Sequence, residues 1–252
     1  MTERVWIGTS GWHYKHWKGN FYPEKISGDA MLPYYAARLN SVELNNSFYR
    51  LPTEQAVETW VRQTPPDFLF SLKASRYITH LRKLLKPEDS IARFMTVAEG
   101  FGEKLGPILF QFPATWRIND ERLQEFLRVL PPKRKYAFEF RHSSWHTAEV
   151  RQTLAKFNAA VCVFEIAGSR CPVDVTADFV YIRLHGPGKA YQGKYSDEAL
   201  AWWAEKIQNW AAQGLEVFIY FDNDQAGFAA QNAVALCNAV FGPGRCPADA
   251  RG

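Results

Sequence analysis

Eight short strand-like segments recur along this chain, and helical patterns separate all but one pair of them. The segments are residues 4–10, 41–45, 68–73, 107–112, 136–141, 160–165, 179–185 and 216–221. Helical spacing of apolar residues covers 31–38, 54–63, 90–101, 120–130, 147–157, 197–212 and 225–237. Ser90 is positioned to cap its helix, an acidic residue to open the one at 120, and Asp224 to cap the last. The stretch 166–178 contains Gly168 and Pro172, which leaves room for little more than a helical turn. Strands alternating with helices over about 240 residues predict an α/β protein, a single TIM-type (β/α)8 barrel whose sixth crossover helix is short or absent. The competing doubly wound sheet would more often carry Gly-x-Gly-x-x-Gly after its first strand, and Gly8-Thr9-Ser10-Gly11-Trp12 lacks that spacing. One domain over residues 1–241 is expected, with a mobile tail over 242–252.

The chain has 252 residues, 47% of them hydrophobic and 22% charged, which is enough apolar mass for a core and excludes a disordered chain. No apolar run approaches the ~20 residues of a membrane helix. The N-terminal residues run straight into a strand without an apolar leader, so a cytoplasmic location is expected. None of the four cysteines, Cys162, Cys171, Cys237 and Cys246, forms a Cys-x-x-Cys pair, and all four are expected to be reduced thiols.

Strands covered on both faces should be apolar throughout. Here most carry polar residues near their C-terminal ends, at a period of two. Glu43 and Asn45 share a face opposite Val42 and Leu44, and Lys73 shares one with Ser71. Gln111, then Glu139 and Arg141, oppose phenylalanines. Arg183 and His185 oppose Ile182 and Leu184, Glu165 ends the sixth strand, and Asp222 falls with Tyr220. Alternation sends these residues into the barrel, at the end where barrel enzymes build their sites. The alternative is a plug of mutually neutralising ions.

The loops at that end carry positive charge among aromatic rings. Trp12 to Lys18 is one such loop. Arg76, Tyr77, His80, Arg82, Lys83 and Lys86 form another, and Lys189, Tyr191, Lys194 and Tyr195 a third. That pattern suits phosphates bearing bases or sugars. His80 and His146 are expected to be loop residues, with no partner visible in the sequence.

Several motifs together resemble the YecE-like family, domain-of-unknown-function family 72. They are Ile7-Gly8-Thr9-Ser10-Gly11-Trp12, the run Val42 to Pro52, Phe110-Gln111-Phe112-Pro113, Phe138 to Trp145, Tyr181 to Gly186, and Tyr220 to Ala233. Where that family commonly has Asn-Ser-Thr-Phe-Tyr, this chain has Asn45-Asn46-Ser47-Phe48-Tyr49. The resemblance runs from Trp6 to about Ala233 and implies a TIM-type barrel. It transfers no catalytic role.

From the residues alone, the first expectation is an enzyme, a hydrolase or lyase, acting on a phosphate-bearing or otherwise anionic substrate such as a nucleotide or nucleic acid. Lys73, Arg141 and Arg183 would clamp the anion. Glu139, His185, Asp222 and Glu43 would supply acid–base catalysis. Asn45, Gln111, Trp12, Tyr191 and Tyr195 would orient the substrate. No cofactor or metal is required. A second reading puts one divalent ion among Glu43, Glu139, His185 and Asp222, as in a metal-dependent phosphodiesterase or isomerase. A third makes Lys73 a Schiff-base nucleophile. A fourth is a non-catalytic nucleotide or nucleic-acid binder. No membrane partner is expected.

Overall fold

The structure, a computed structural model, describes residues 4–243 and 246. Eight parallel strands form the barrel: β1 (Val5–Thr9), β2 (Ser41–Leu44), β3 (Leu69–Lys73), β4 (Leu105–Phe112), β5 (Tyr136–Phe140), β6 (Ala160–Ile166), β8 (Phe179–Leu184) and β9 (Glu216–Phe221). Their order around the ring is β1-β9-β8-β6-β5-β4-β3-β2. The seam between β1 and β2 is closed by a parallel bridge from Ser10 to Glu43 and by Gly11 N–H donating to Glu43 O at 2.8 Å. Gly8 permits this approach, because a Cβ there would sit 2.0 Å from Ser41 O.

The covering helices are α1 (Gly28–Ala36), α3 (Glu54–Arg62), α4 (Glu88–Glu99), α5 (Asp120–Val129), α6 (Ala148–Lys156), α7 (Asp197–Ala212) and α8 (Phe228–Phe241). Four start on side-chain caps: Thr53, Asn119, Thr147 and Ser196 each accept a backbone N–H three residues on. Two expected caps do not form. Helix α4 opens earlier, at Glu88, and the Ser90 hydroxyl donates to Pro87 O. Helix α8 opens after Gly227, whose φ of 73° turns the chain, while the Asp224 carboxylate accepts the Trp17 indole N–H and pairs with His16 at 2.9 Å. The acidic opening expected at 120 is an asparagine cap, Asn119, followed by Asp120 and Glu121 in the first turn.

No helix lies between β6 and β8. The two-residue strand β7 (Ser169–Arg170) folds back antiparallel on β6 instead, as the glycine and proline there favour. Among the short elements that escape the periodicity, two bear on the site: α2 (Asn46–Tyr49) and a π-helical turn over Tyr77–Leu81. Both sit at the C-terminal end of the barrel, directly after β2 and β3.

The interior is layered. Leu109, Ala137, Cys162, Phe179 and Phe218 pack as an apolar plug in the lower barrel. Above it Tyr220 OH shares hydrogen bonds of 2.7 Å with the hydroxyls of Ser41 and Ser71. The opposite strand faces bury Val42, Phe70, Phe110, Phe138, Ile182 and Ile219 against the helices. This division fixes which polar side chains look inward.

Two expectations about the periphery change. Helix α8 ends at Phe241, and the chain reverses through Gly242 (φ 92°), so Cys246 returns to Cys237 and forms a disulfide. Cys246 is buried and belongs to the folded body; residues 244, 245 and 247–252 of the expected tail lie outside the described residues. Cys162 and Cys171 are free thiols. No helix among the described residues is long and apolar enough to cross a membrane.

Candidate functional site

The site grows out of strand alternation. On β8, Phe179, Tyr181 and Arg183 point inward in turn, the first into the apolar plug and the last into the polar layer above it. Arg183 has no exposed surface, so its charge must be met by protein groups. It is met on three sides. Its Nη2 donates to Glu43 Oε1 at 2.7 Å and its Nε to Glu43 Oε2 at 2.9 Å. Its Nη1 donates to Glu139 Oε2 at 2.8 Å, and Nη2 also reaches Asp222 Oδ2 at 3.1 Å. Burial works against the guanidinium's charge, but these carboxylates outweigh it and hold Arg183 cationic.

Each carboxylate is then completed by neighbours. Glu43 also accepts Ser10 Oγ–H and Tyr181 O–H, both at 2.7 Å. Glu139 Oε1 takes Arg141 Nε and, at 2.9 Å, Gln111 Nε2. Burial pushes the Glu139 carboxyl up, and Arg141 and Arg183 override that push and hold it well below the usual carboxylate range. Asp222 is lowered in the same manner: burial opposes its charge, while the His185 hydrogen bond and Arg183 favour it more.

His185 lies at the junction. Its Nε2 is 2.9 Å from Arg141 Nη2 and 3.3 Å from Arg183 Nη1. Guanidinium nitrogens carry no lone pair to accept with, so Nε2 is the acceptor. The ring proton then resides on Nδ1, which donates to Asp222 Oδ2 at 3.0 Å. This fixes the tautomer and the ring plane.

The layer splits by access. Arg183, Glu43, Glu139 and His185 are fully buried, whereas the side chains of Asp222 and Arg141 keep 18% and 13% exposure. The half-buried Lys73 and Gln111 join them at the mouth. Lys73 shares the interior with Arg183, Glu139, Glu43 and Asp222, all of which act on its charge. Yet among the described residues its ammonium has no hydrogen bond and no carboxylate within 4 Å. Its neighbour is the Phe48 ring, 4.4 Å from Nζ to the centroid. Burial, aided by Arg183, lowers the Lys73 pKa to about 8.

Beside this floor, between the loops after β1 and β2, lies a cavity of about 180 Å³ lined by Trp12, Tyr14, Leu44 and Asn45 among others. Asn45 Oδ1 is buried there without a hydrogen-bond partner. Trp12 is braced edge-on against Trp60 at 5.2 Å. Tyr191 covers His185 edge-on at 5.3 Å and is itself 46% exposed.

Three expected site residues lie elsewhere. Glu165 has the opposite parity to Phe164 and Cys162, which face inward, so it leaves the cluster and pairs with Arg170 at 2.7 Å. Tyr195 is buried in a structural joint: its OH accepts Gly186 N–H, and its backbone is held by Asn232. Trp17, counted among the rim aromatics, is fully buried. The two histidines whose partners are not visible in the sequence have them in the structure. His80 Nδ1 is 2.8 Å from Thr79 Oγ1, with its ring edge-on to Phe48 at 5.0 Å, and His146 Nε2 is 3.0 Å from Phe140 O.

Sequence reasoning missed Ser10, Tyr181 and Phe48, and counted Tyr14 only among the rim aromatics of the loop from Trp12 to Lys18. The first two follow the same inward parity as Glu43 and Arg183 and were legible by that signal. Tyr14, whose OH donates to Ser10 O at 2.6 Å, and Phe48 arrive from loops and a short helix that carry no period.

For a divalent ion the donor set is unsuited. Guanidinium, hydroxyl and amide donors already occupy the oxygens of Glu43 and Glu139 that a metal would need, and both nitrogens of His185 are engaged. Among the described residues no group of three or more His, Cys, Asp or Glu is arranged to hold a metal.

A parallel (β/α)8 barrel with a sealed ionic layer beneath a more open polar mouth defines the class of this protein. The family model described as "Protein of unknown function DUF72" matches residues 6–247, and the chain belongs to that family. The UPF0759 protein YunF of Bacillus subtilis is 27% identical over 262 residues, covering 90% of this chain and 92% of that protein. The UPF0759 protein YecE of Escherichia coli is 31% identical over 152 residues, 60% of this chain and 53% of that protein. Among solved structures, a DUF72 family protein from Thermotoga maritima superposes with a TM-score of 0.84 at 29% identity, covering 92% of this chain and 97% of that one. One from Enterococcus faecalis gives 0.80 at 22% identity, covering 94% and 95%.

Proposed function

We propose that this protein is an enzyme that binds a small anionic substrate, phosphate- or carboxylate-bearing, at the C-terminal mouth of its barrel. Arg141 and Lys73 are the cationic partners of the anion. Gln111 and Asn45 orient its polar groups, and Asp222 with His185 moves the proton. The reading is carried by Lys73. In an interior whose other ions are matched by direct contacts, its ammonium faces the mouth without an acidic partner among the described residues. An anion would supply one. Asn45 Oδ1, buried without a hydrogen-bond partner on a residue that lines the cavity between the loops after β1 and β2, is a second unmatched group at this end of the barrel.

His185 is the proton acceptor in this scheme. Arg141 occupies Nε2 in the free site. An anion that draws Arg141 toward itself would release Nε2, while Asp222 keeps the proton on Nδ1 and steadies the imidazolium that forms. Arg183 touches no substrate and is a positioning residue, since its donors go to Glu43, Glu139 and Asp222.

The test is a thermal-shift screen of sugar phosphates, nucleotides and small carboxylates against the wild-type protein and Lys73→Met. A ligand that binds only the folded state raises its melting temperature. An anion should stabilise the wild type and lose at least half of that shift in the variant. No stabilisation by any anion, or the same shift in both proteins, would reject the reading.

A second reading is favoured by the exposed Tyr49 and Tyr77 beside Arg50 and Arg76 on the loops after β2 and β3. In it, those loops hold a nucleic-acid strand by stacking and phosphate contacts. Affinity falling by orders of magnitude between roughly 50 and 200 mM salt would mark it.

A further inference from the structure

We propose that Lys73 is a nucleophile: its Nζ condenses with the carbonyl carbon of a substrate that also carries an anionic group, forming a covalent imine at the mouth. The inference rests on the anion-site reading above and adds to it the substrate class, an oxo acid or a phosphorylated aldehyde or ketone.

Four observations support it. Lys73 ends β3 on the inward face, on the same side as Ser71, and keeps part of its surface exposed at the C-terminal end of the barrel. No carboxylate or hydrogen-bond acceptor among the described residues ties up its ammonium, unlike Arg183, which is met by Glu43, Glu139 and Asp222, and Arg141, whose Nε and Nη2 are directed at Glu139 and His185. Phe48 holds the amine in place without accepting its proton. Its helix is fixed there by Ser47 Oγ, which donates to Leu44 O at 3.0 Å and Lys73 O at 2.6 Å. Finally, burial and Arg183 bring the amine's pKa to about 8. By that value about a tenth of the side chain is free amine at pH 7, against less than a thousandth for an ordinary lysine.

The step balances without an oxidant or reductant. The amine lone pair attacks the carbonyl carbon, and the π pair moves to oxygen. The proton lost from nitrogen ends on that oxygen, giving a carbinolamine. A further proton from the solvent-reached mouth turns the hydroxyl into water. The C–O bond breaks, and the nitrogen lone pair closes the C=N bond. Amine, carbonyl and one proton become iminium and one water. The iminium nitrogen is still positive, so the substrate's anion keeps the counter-charge it met in the ammonium. The same charge draws electrons from the adjacent carbon, which is the chemistry a nearby proton acceptor such as His185 exploits.

The experiment uses the full chain with glyoxylate, an aldehyde next to a carboxylate, and cyanoborohydride at pH 7. Peptide mapping by mass spectrometry then reads which lysines have been carboxymethylated. Glycolate, the same anion without the carbonyl, is the control ligand. Lys73 should be modified at least tenfold more than any other lysine, with glycolate protecting it. Lys73→Arg should melt within a few degrees of the wild type and gain no adduct at that position. Modification spread over surface lysines with Lys73 no higher, while glycolate still stabilises the protein, would overturn the nucleophile and leave the anion site standing. Absence of both Lys73 labelling and any anion-induced shift would overturn the two together.

Discussion

Arg183 and Glu43 meet in a two-pronged ion pair, Nη2 to Oε1 at 2.7 Å and Nε to Oε2 at 2.9 Å, with neither residue reaching solvent. They lie 140 residues apart in sequence, on strands β8 and β2, so the pair spans the barrel interior. A buried ion pair of this kind is weak evidence for stability, because desolvation of both ions offsets much of their attraction. Its value here is geometric. The guanidinium is the hub that fixes Glu43, Glu139 and Asp222 relative to one another.

Removing the hub alone should therefore be expensive. Arg183→Met leaves three carboxylates facing one another in the interior, and a loss of about 3–5 kcal/mol is expected. For a domain of this size that lowers Tm by roughly 10 °C. Urea denaturation followed by tryptophan emission reads it. The double variant Arg183→Met, Glu43→Gln should recover part of the loss, and simple additivity of the two single effects would show that the pair is not coupled.

Acid should weaken the fold through the same groups. Glu139 and Asp222 have carboxyl pKa values lowered in the folded state. A depressed folded pKa means that the unfolded chain binds protons first. The stabilisation is thus complete above the unfolded carboxylate values of about 4, and it is lost as pH falls through the folded values. Unfolding free energy measured from pH 7 down to pH 2 should stay nearly level to about pH 5 and then decline. In Glu139→Gln the decline should be shallower.

The seam of the barrel should be intolerant of a single methyl group. A Cβ at Gly8 would lie 2.0 Å from Ser41 O and 3.0 Å from Tyr35 OH. That oxygen already accepts the Tyr35 hydroxyl at 2.9 Å. Gly8→Ala forces β1 and β2 apart and is expected to cost at least the ~1–3 kcal/mol of an overpacked core. Chemical denaturation measures it, and Thr9→Ser next to it serves as a mild control.

The C-terminal disulfide closes a short loop, with nine residues of sequence separation between Cys237 and Cys246. Chain-entropy arguments give about 2.5 kcal/mol for a loop of that length. Non-reducing peptide maps should show the two cysteine peptides linked. Cys246→Ser should lower stability by up to that amount and make Tm independent of added reductant.

The barrel and its inward residues were legible because strand alternation is a local rule. Once Val42 and Leu44 face the helices, Glu43 must face the axis, and the same parity places Lys73, Gln111, Glu139, Arg183 and Asp222. Glu165 stands apart because charge, not alternation, put it in the inward set, while its apolar neighbour Phe164 holds that face. Its charge suggested the cluster, while parity, followed strictly, gave the opposite answer. The loops were less legible. Nothing periodic marks α2 or the π-helical turn, and it is these that bring Phe48 against Lys73 and His80 against Phe48. The Cys237–Cys246 bond escaped for a similar reason: only the chain reversal after α8 brings the two together.

Sequence alone determined that polar side chains would enter this barrel at one end, since a two-residue period leaves them no other face. Only the tertiary structure decided how they divide. Distances across the ring, which no local pattern encodes, join Arg183 to its three acids and seal them from water. The same distances leave the Lys73 ammonium beside an aromatic ring at the mouth.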